Sequence, residues 1–351
     1  MKFNAGALIV CAFLMGCGGG EPPFGGDATD PGTGTGGDGD GGTIDSDGRL
    51  PPGTASPQPD TRIFRKEARS GNGNGFAEDV RYIAENDTFY VDNLPFDGDD
   101  DTPYIRGQAV GSFGDYAVYE AVQQYPDSLN GNPINQFTHR AIYGVSRSGD
   151  TEFAIIRTGA YQGYGFGGFV YERNGTVVMP TMGQALYNGK GAGLRDYQGR
   201  GGLDFITADV QVAIDFDDFN EDTGIYEGAV DGFVFNKRVF DIAGNELTDN
   251  VIARINAGNN SSLRAIPTTV FTIGPNVMDE NGEISGAVTS PFGNNSGQAQ
   301  EYGTGTYYGI LSGDNAEELV GIVVTESTTD TESVTVRDTI GFTIYREAYQ
   351  P

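Results

Sequence analysis

The thiol of Cys17 is the side chain whose setting points most directly to a chemical reaction. It follows Leu14-Met15-Gly16, at the end of a short apolar segment that begins behind Met1-Lys2. The segment is too short to span a bilayer, and the small Gly16 leaves the next peptide bond open to a peptidase. This arrangement is typical of a bacterial lipoprotein signal at residues 1–16. We therefore predict cleavage before Cys17, a diacylglycerol on its thiol and a palmitate-like chain on its new amino group, which together hold a protein stably on a membrane.

Carboxylates are concentrated in two segments whose oxygen atoms suit a hard cation such as Ca²⁺. In the first segment, Asp97, Asp99, Asp100 and Asp101 lie within five residues, and a cation would relieve their mutual repulsion. The second segment runs from Asp215 to Asp222. Neither segment has the full ligand spacing of a known calcium motif, so solvated charge is the alternative interpretation of both.

Aromatic residues recur in two short stretches, near positions 161–169 and 302–308, where they could form a binding platform. Packing within a sheet is the alternative interpretation. The candidate binding-loop residues, aromatic and acidic together, are Tyr161, Tyr164, Phe166, Asp217, Asp218, Asp222 and Tyr302.

The residue types needed for most enzyme and cofactor sites are scarce. His139 is the single histidine, and the two cysteines, Cys11 and Cys17, belong to the predicted signal and lipidation site. Zinc, haem and iron–sulfur sites of the usual kinds are therefore excluded. Ser146 narrowly misses the spacing of a nucleophile elbow, and we expect His139 on the surface or on a strand face rather than in a triad. We predict a protein that is not an enzyme and has no cofactor other than a possible Ca²⁺.

The charge of the chain restricts its partners. A formal net charge of −28 repels phosphate backbones, so we predict that the protein does not bind nucleic acid. The 18 tyrosines, 21 phenylalanines and 55 glycines favour pleated surfaces and turns over helices. The composition predicts an all-β protein.

Residues 17–60 carry Gly, Asp, Thr and Pro with almost no large apolar side chain. Such a segment cannot bury enough surface to fold. We predict a disordered tether with a root-mean-square reach of roughly 35 to 40 Å, which would hold a domain clear of the membrane.

Short alternating runs separated by turn residues fill residues 61–175, and they predict an antiparallel β domain. The runs are 79–84, 88–91, 116–122, 140–146, 153–158 and 166–172. A short helix is the alternative for 116–124, because apolar residues there also recur every three positions.

Longer runs in residues 176–351 predict a second domain. Between Ile206 and Phe216 the apolar residues hold one face for eleven positions, and the return run 226–235 completes a hairpin. Further strands are predicted at 268–273, 283–287, 305–311, 318–325 and 334–345. Closing such glycine-rich strands into a ring removes exposed edges, so we predict a small antiparallel barrel of about eight strands. The inward candidates Val210, Val212, Ile214 and Phe216 predict a filled interior.

Three glycine-marked pieces of this second region resemble the barrel module of transferrin-binding protein B and its relatives among surface lipoproteins. The pieces are Gly183 to Gly191, Thr207 to Phe216 with Gly228, and Gly305 to Gly309 followed by Asn315 to Gly321. A lipidated cysteine and a flexible leader are also typical of that family, which includes heparin-binding and complement-factor-binding antigens. The resemblance implies that residues 61–175 form a handle-like domain beside the barrel.

The sequence departs from this family in two ways. It has one candidate barrel where the transferrin receptors carry two lobes, and its connection from Gly309 to Asn315 is longer than the turn of the family. Because the loops that contact a partner are the variable part of a fold, transferrin binding does not carry over.

We therefore predict an outer-membrane lipoprotein, exposed at the cell surface or facing the periplasm, whose loops bind a macromolecule or an extracellular solute. The resemblance also implies a possible outer-membrane transporter or translocation partner. Two alternatives are an envelope protein with a structural or protective role and a barrel that carries a small hydrophobic ligand.

Overall fold

The computed structural model describes most of the chain beyond the predicted tether. The described residues are 50–68, 76–78, 80–99, 102–134, 137–159, 163–217, 219–220, 225–226, 230–272, 277–327 and 334–346. The predicted signal and residues 17–49 of the predicted tether, Cys17 included, lie outside them, as do Asp100, Asp101, Tyr161, Asp218 and Asp222.

An open antiparallel sheet of nine strands occupies residues 63–173, and we call it the handle sheet. The strand order is β1-β9-β8-β7-β6-β4-β3-β2, with β5 paired to β6 beside this path. The segment with a helical alternative forms β6, so that alternative is wrong. The strands are β1 (Ile63–Lys66), β2 (Val80–Ile83), β3 (Thr88–Val91), β4 (Tyr104–Arg106), β5 (Ser112–Phe113), β6 (Tyr116–Ala121), β7 (His139–Val145), β8 (Thr151–Thr158) and β9 (Gly167–Arg173).

A second antiparallel sheet closes into a barrel, which confirms the predicted architecture. The ring has the order β17-β15-β14-β11-β10-β20-β19-β18, and pairing of β18 with β17 closes it at eight strands. Strands β12, β13 and β16 extend from β17 outside the ring. The strands are β10 (Gln184–Tyr197), β11 (Leu203–Asp215), β12 (Phe219–Asn220), β13 (Ile225–Tyr226), β14 (Val230–Phe240), β15 (Thr269–Phe271), β16 (Met278–Asp279), β17 (Glu283–Gly293), β18 (Ala299–Ser312), β19 (Glu318–Ser327) and β20 (Val336–Arg346).

The barrel interior is a packed core. Alternate residues of β11 are buried in one apolar cluster, including Val210, Val212 and Ile214, as their spacing predicts. Tyr307 stacks on Phe271 across the interior, with ring centroids 4.1 Å apart. These side chains contact one another, so the interior forms a core rather than a cavity for a ligand.

The helix α1 (Thr248–Asn259) lies between β14 and β15 and was not predicted from the sequence. It packs on β14 and places Val251 and Ile255 in the barrel cluster. Its apolar stripe has two fully buried residues among polar ones, which is too weak a pattern to separate it from a loop. No helix in the described part of the chain has the length and apolar character that crossing a membrane requires.

The connection between β18 and β19 also differs from expectation. Ile310, Leu311 and Ser312 continue β18, and the turn to β19 spans residues 313–317. The prediction of an extended connection is therefore wrong, because the added residues lengthen a barrel strand instead.

The handle sheet packs against the outside of one barrel wall. In β19, Leu319 and Val323 belong to the interior cluster, whereas Val320 and Ile322 belong to a cluster shared with the handle sheet. Nearly every residue of β19 is therefore buried, and the strand is apolar on both faces. The contact is close, since a Cβ at Gly341 of β20 would lie 2.2 Å from the ring of Phe153 in β8.

Two arginines of the handle sheet join it to the barrel through buried polar contacts. Arg65 binds both carboxylate oxygens of Glu283 at 2.6 Å, and the side chain of Glu283 is fully buried. Although burial opposes its charge, the hydrogen bond and charge of Glu283 raise the pKa of Arg65. Arg173 donates to the backbone oxygens of Asn281 and Leu311 in the barrel and to three oxygens of residues 58–61.

Arg65→Met should destabilise the protein by about 3–5 kcal/mol, because it leaves the carboxylate of Glu283 buried without a cation. The double variant Arg65→Met/Glu283→Met should recover most of that loss, since it removes both charges. Urea unfolding measures both free energies. Arg238→Met, which breaks an exposed pair with Glu246, is the matched control and should change stability far less, because solvent screens an exposed pair. A loss no larger for Arg65→Met than for this control would contradict the role of the buried pair.

Candidate functional site

Three hairpin loops leave one end of the handle sheet, where the connection from β1 to β2 also lies. The strands pair antiparallel in the order β3-β4-β6-β7-β8-β9. The connections β3–β4, β6–β7 and β8–β9 therefore all lie at the same end of the strands. They span residues 92–103, 122–138 and 159–166. We call this end of the sheet the loop end of the handle.

Four aromatic side chains from these loops contact one another; we call Phe96, Tyr125, Phe137 and Phe166 the aromatic cluster. The ring of Phe96 lies 4.2 Å from that of Phe137 and 5.8 Å from that of Phe166. Tyr125 meets both Phe96 and Phe137 edge-on, at 5.7 and 5.8 Å. Phe96 is 43% exposed and the other three are half-buried. The loop end therefore presents a preassembled aromatic surface to solvent.

Phe96 holds its position at a conformational cost. Its φ is 68°, a left-handed backbone that bulky residues seldom adopt and that costs of order 1–3 kcal/mol. The neighbouring residues enforce it: Leu94 is buried beneath the sheet, and the hydroxyl of Tyr104 donates to Asp97 at 2.9 Å. Strain of this kind is frequent at binding sites, where the exposed orientation of a side chain is worth more than relaxed backbone.

The β6–β7 loop is internally hydrogen-bonded and carries an exposed leucine at its tip. Pro126 and Pro133 form an antiparallel bridge, and the amide of Ile134 donates to Tyr125 at 3.0 Å. The carboxylate of Asp127 accepts the amide of Leu129 at 2.7 Å. The side chain of Leu129 is 94% exposed. The described part of this loop thus holds a large apolar side chain in water, at the same end of the handle sheet as the aromatic cluster.

The base of the loop end is anchored to the barrel. The amide of Gly199, in the β10–β11 turn, donates to Gly163 of the β8–β9 loop at 3.0 Å. Beneath this loop, Arg337 of the barrel lies 4.0 Å from the ring of Tyr164 and pairs with buried Asp196. Although desolvation opposes its charge, the carboxylate of Asp196 raises the pKa of Arg337. These contacts stabilise the loop end and pair Arg337 with a buried carboxylate at its base.

The structure separates the candidate binding residues predicted from the sequence. Phe166 belongs to the aromatic cluster, and Tyr164 is buried under the same loop. Tyr302 is 4% exposed in β18, where its hydroxyl accepts from Arg195, so its assignment to a binding loop is wrong. Asp217 is exposed at the opposite end of the barrel and accepts the amide of Gly183 at 2.8 Å.

The carboxylates predicted to bind a cation are not gathered in the described structure. Asp97 is buried against Tyr104, whereas Asp99 is exposed. Within the described residues, no group of three or more histidine, cysteine, aspartate or glutamate side chains is arranged to hold a metal. The cation site, which includes Asp100 and Asp101 outside those residues, stays a prediction.

Sequence reasoning missed Phe96, Tyr125, Phe137 and Leu129. Their positions run from 96 to 137, and only the strand order brings them together at the loop end. The excess of apolar residues in the loop at 122–138 was the available signal, because loops at a surface are normally polar.

His139 supports the loop end from inside the sheet. It is 1% exposed at the start of β7, so its expected place on a strand face is right and its surface exposure is wrong. Its Nδ1 lies 3.2 Å from the backbone oxygen of Phe137, and its ring meets Tyr104 edge-on. Burial lowers the pKa of His139 to about 4.

A search of solved structures finds several with partial similarity to this chain. A point mutant of transferrin-binding protein B from Haemophilus parasuis Hp5 matches 67% of this chain at 12% identity and a TM-score of 0.32. Isotype 1 of the same protein from Neisseria meningitidis matches 64% at 14% identity and 0.28. HpuA from Kingella denitrificans, solved in complex with human haemoglobin, matches 80% at 10% identity and 0.24.

This chain spans 37% of the Haemophilus protein and 36% of the Neisseria protein. TM-scores and identities of this size carry no functional inference. No protein-family model matches the sequence, and no curated protein matches it.

His139→Gln should reduce the acid sensitivity of the protein. The folded state keeps His139 neutral down to about pH 4, whereas the unfolded chain takes up its proton near 6.5. Stability from the neutral ring is therefore present above pH 6.5 and lost as the pH falls towards 4. Between pH 7 and pH 5 the wild-type protein should lose about 2 kcal/mol more than the variant.

Urea unfolding at the two pH values measures this difference, and all other groups titrate equally in both proteins. Equal losses for the wild type and His139→Gln would show that the ring is not held neutral.

Proposed function

We propose that this protein is a non-enzymatic binding protein, tethered to the outer membrane, whose loop end contacts a protein ligand. The observation that carries the proposal is the combination of the strained, 43% exposed Phe96 with the 94% exposed Leu129 on ordered loops. A few well-packed anchor side chains dominate the free energy of protein binding, and a preassembled surface loses less entropy when a partner covers it.

The sequence supports a location at the membrane. A lipidated Cys17 would anchor the chain, and the segment from there to residue 49 would separate the folded part, which begins at residue 50, from the bilayer. Exposure on the outer face would require a translocation partner. We propose this face because an exposed aromatic surface on a long tether suits a ligand outside the cell.

Two other functions agree less well with the geometry. A structural or protective envelope protein has no need of a strained, exposed aromatic residue. A carrier of a small hydrophobic ligand needs a hollow barrel, whereas Val212, Tyr187 and Phe342 are fully buried together inside this one.

Protease digestion of intact cells should remove the folded domain while a periplasmic control protein survives. An antibody against the domain provides the readout. Digestion only after permeabilisation would place the domain in the periplasm and contradict the proposed exposure. In the same cells, Cys17→Ser should abolish labelling by a radioactive fatty acid and release the protein from the membrane fraction.

Affinity capture tests the site itself. The full chain carrying Cys17→Ser, immobilised as bait, should retain a protein from the extracellular medium in which the cells grow. Phe96→Ser/Leu129→Ser should reduce that retention at least about tenfold, because it removes both exposed anchors. At Leu129 the change should alter stability by no more than about 0.5 kcal/mol, and loss of the ring contacts of Phe96 should cost about 0.5–1.5 kcal/mol more.

Val178→Ser/Met182→Ser is the matched control. These side chains are 55% and 72% exposed and lie near the β18–β19 turn, at the other end of the barrel. Retention that falls equally in both double variants would show general stickiness and would overturn the assignment of the loop end.

A further inference from the structure

Glu318, the first residue of β19, brings a carboxylate into the contact between the handle sheet and the barrel. The residue is 2% exposed. Its Oε1 accepts the hydroxyl of Ser148 at 2.8 Å and that of Thr151 at 3.2 Å, both from the handle. Its Oε2 is also buried and has no hydrogen-bond partner among the described residues. One of the two carboxylate oxygens is therefore left without a donor.

Two other carboxylates buried in the same contact are neutralised by arginines. Glu283 binds Arg65 through both oxygens at 2.6 Å. Asp196 binds Arg337 at 2.7 Å. Glu318, in contrast, forms no ion pair with a lysine, arginine or histidine in the described parts of the chain. A charge buried without a partner is strongly unfavourable, so such a group either becomes neutral or acquires a cation.

The β7–β8 turn, residues 146–150, and the adjoining Thr151 place three hydroxyl groups around this carboxylate. Ser146 Oγ lies 2.9 Å from Ser148 Oγ and accepts the amide of Thr151 at 3.1 Å. Burial raises the pKa of Glu318, and these three hydroxyls oppose that rise. A hydroxyl group has one proton to donate and two lone pairs. After the bonds above, the oxygens of Ser146 and Thr151 each keep at least one lone pair for a further partner.

Hydrogen bonds hold this turn on the barrel. The amide of Arg147 donates at 2.9 Å to the hydroxyl of Tyr345, which pairs with Glu318 across β20 and β19. Within the turn, the amide of Ser146 donates to the backbone oxygen of Thr151 at 2.8 Å. The carboxylate and the hydroxyls are thus held together by the fold itself.

The charge of this cluster selects the kind of ion that it can take. Hard cations prefer oxygen ligands. A single positive charge neutralises Glu318, whereas a divalent cation would leave an excess charge buried among neutral hydroxyls. Asp150, half-buried in the turn, adds to the rise in the pKa of Glu318, but its carboxylate forms no hydrogen bond with these hydroxyls in the described structure. We propose that a monovalent alkali-metal cation, Na⁺ or K⁺, binds Oε2 of Glu318 and the hydroxyl oxygens of Ser146 and Thr151.

The ion would act as a further link between the handle sheet and the barrel. Arg65 and Glu283 supply both charges from the chain, whereas here the positive charge would come from solvent. The exposed Ser148 marks the side from which an ion can enter. The β7–β8 turn lies at the end of the handle sheet opposite to the loop end, so this link is separate from the binding of a partner.

Urea unfolding of the full chain carrying Cys17→Ser, called the parent chain, tests the site. NaCl, KCl, CaCl₂ and tetramethylammonium chloride are compared at equal ionic strength, so that screening of the other charges is the same. The urea midpoint should be higher in NaCl or KCl than in tetramethylammonium chloride. An ion with a dissociation constant of about 10 mM would raise the folded-to-unfolded ratio about tenfold at about 0.1 M. The difference between NaCl and KCl identifies the ion.

Variants of the parent chain show where the ion binds. Glu318→Gln keeps the shape of the side chain and removes its charge, so it should abolish the response to NaCl and KCl. Thr151→Val removes one hydroxyl ligand and should weaken the response severalfold, and it provides the test if Glu318→Gln does not fold. The matched controls are Glu301→Gln and Thr289→Val, which alter an exposed carboxylate and the hydroxyl that donates to it at 2.6 Å. Both controls should respond as the parent chain does.

Three results would overturn the proposal. An equal response of the parent chain and Glu318→Gln would assign the effect to salt in general. No response of the parent chain to NaCl or KCl would show that a proton, rather than a cation, neutralises Glu318. A response that depends on Glu318 in CaCl₂ alone would assign a divalent ion. Each result leaves the proposed function intact, because none of these residues lies at the loop end.

Discussion

The packing of the handle sheet against one wall of the barrel is the contact on which the rest of the structure depends. A closed barrel normally faces water on its outside, yet β19 is apolar on both faces because Val320 and Ile322 meet the handle. The open sheet in turn buries its own inner face only by lying on the barrel. Neither sheet alone would bury this apolar surface. No disulfide can replace the contact, since both cysteines precede residue 18. Arg65 and Arg173 add directional polar contacts to this apolar contact.

That constraint determines where function can reside. Because the inner face of the handle and one wall of the barrel are covered, the surfaces free to vary are the loops at the strand ends. The antiparallel strand order then brings three hairpin loops together at the loop end. The hydrogen bond from the amide of Gly199 to the backbone oxygen of Gly163 joins this end to the barrel. A rigid scaffold beneath strained, apolar loops reduces the entropy lost on binding.

Much of the fold follows from residue patterning, and the site does not. Strict alternation from Ile206 to Phe216 predicts a half-buried strand and its inward face, since the pleat repeats every two residues. The continuous apolar run Leu319 to Val324 identifies a strand but not the layer that covers its outer face. The helix at Thr248–Asn259 was missed because packing rather than propensity stabilises it. The aromatic cluster was missed because Phe96 and Phe166 are 70 positions apart (166 − 96) and meet only through the strand order. Single-sequence patterns report local periodicity, whereas loop–loop contacts are set by topology.

We propose that a protein partner covers the loop end of the handle. Amide hydrogen exchange, with and without the protein captured from the extracellular medium, tests it most directly. The account predicts slower exchange in residues 92–103 and 122–138 and unchanged exchange in the barrel strands. Slowing confined to the acidic end of the barrel around Asp217, or no slowing at the loop end, would contradict it.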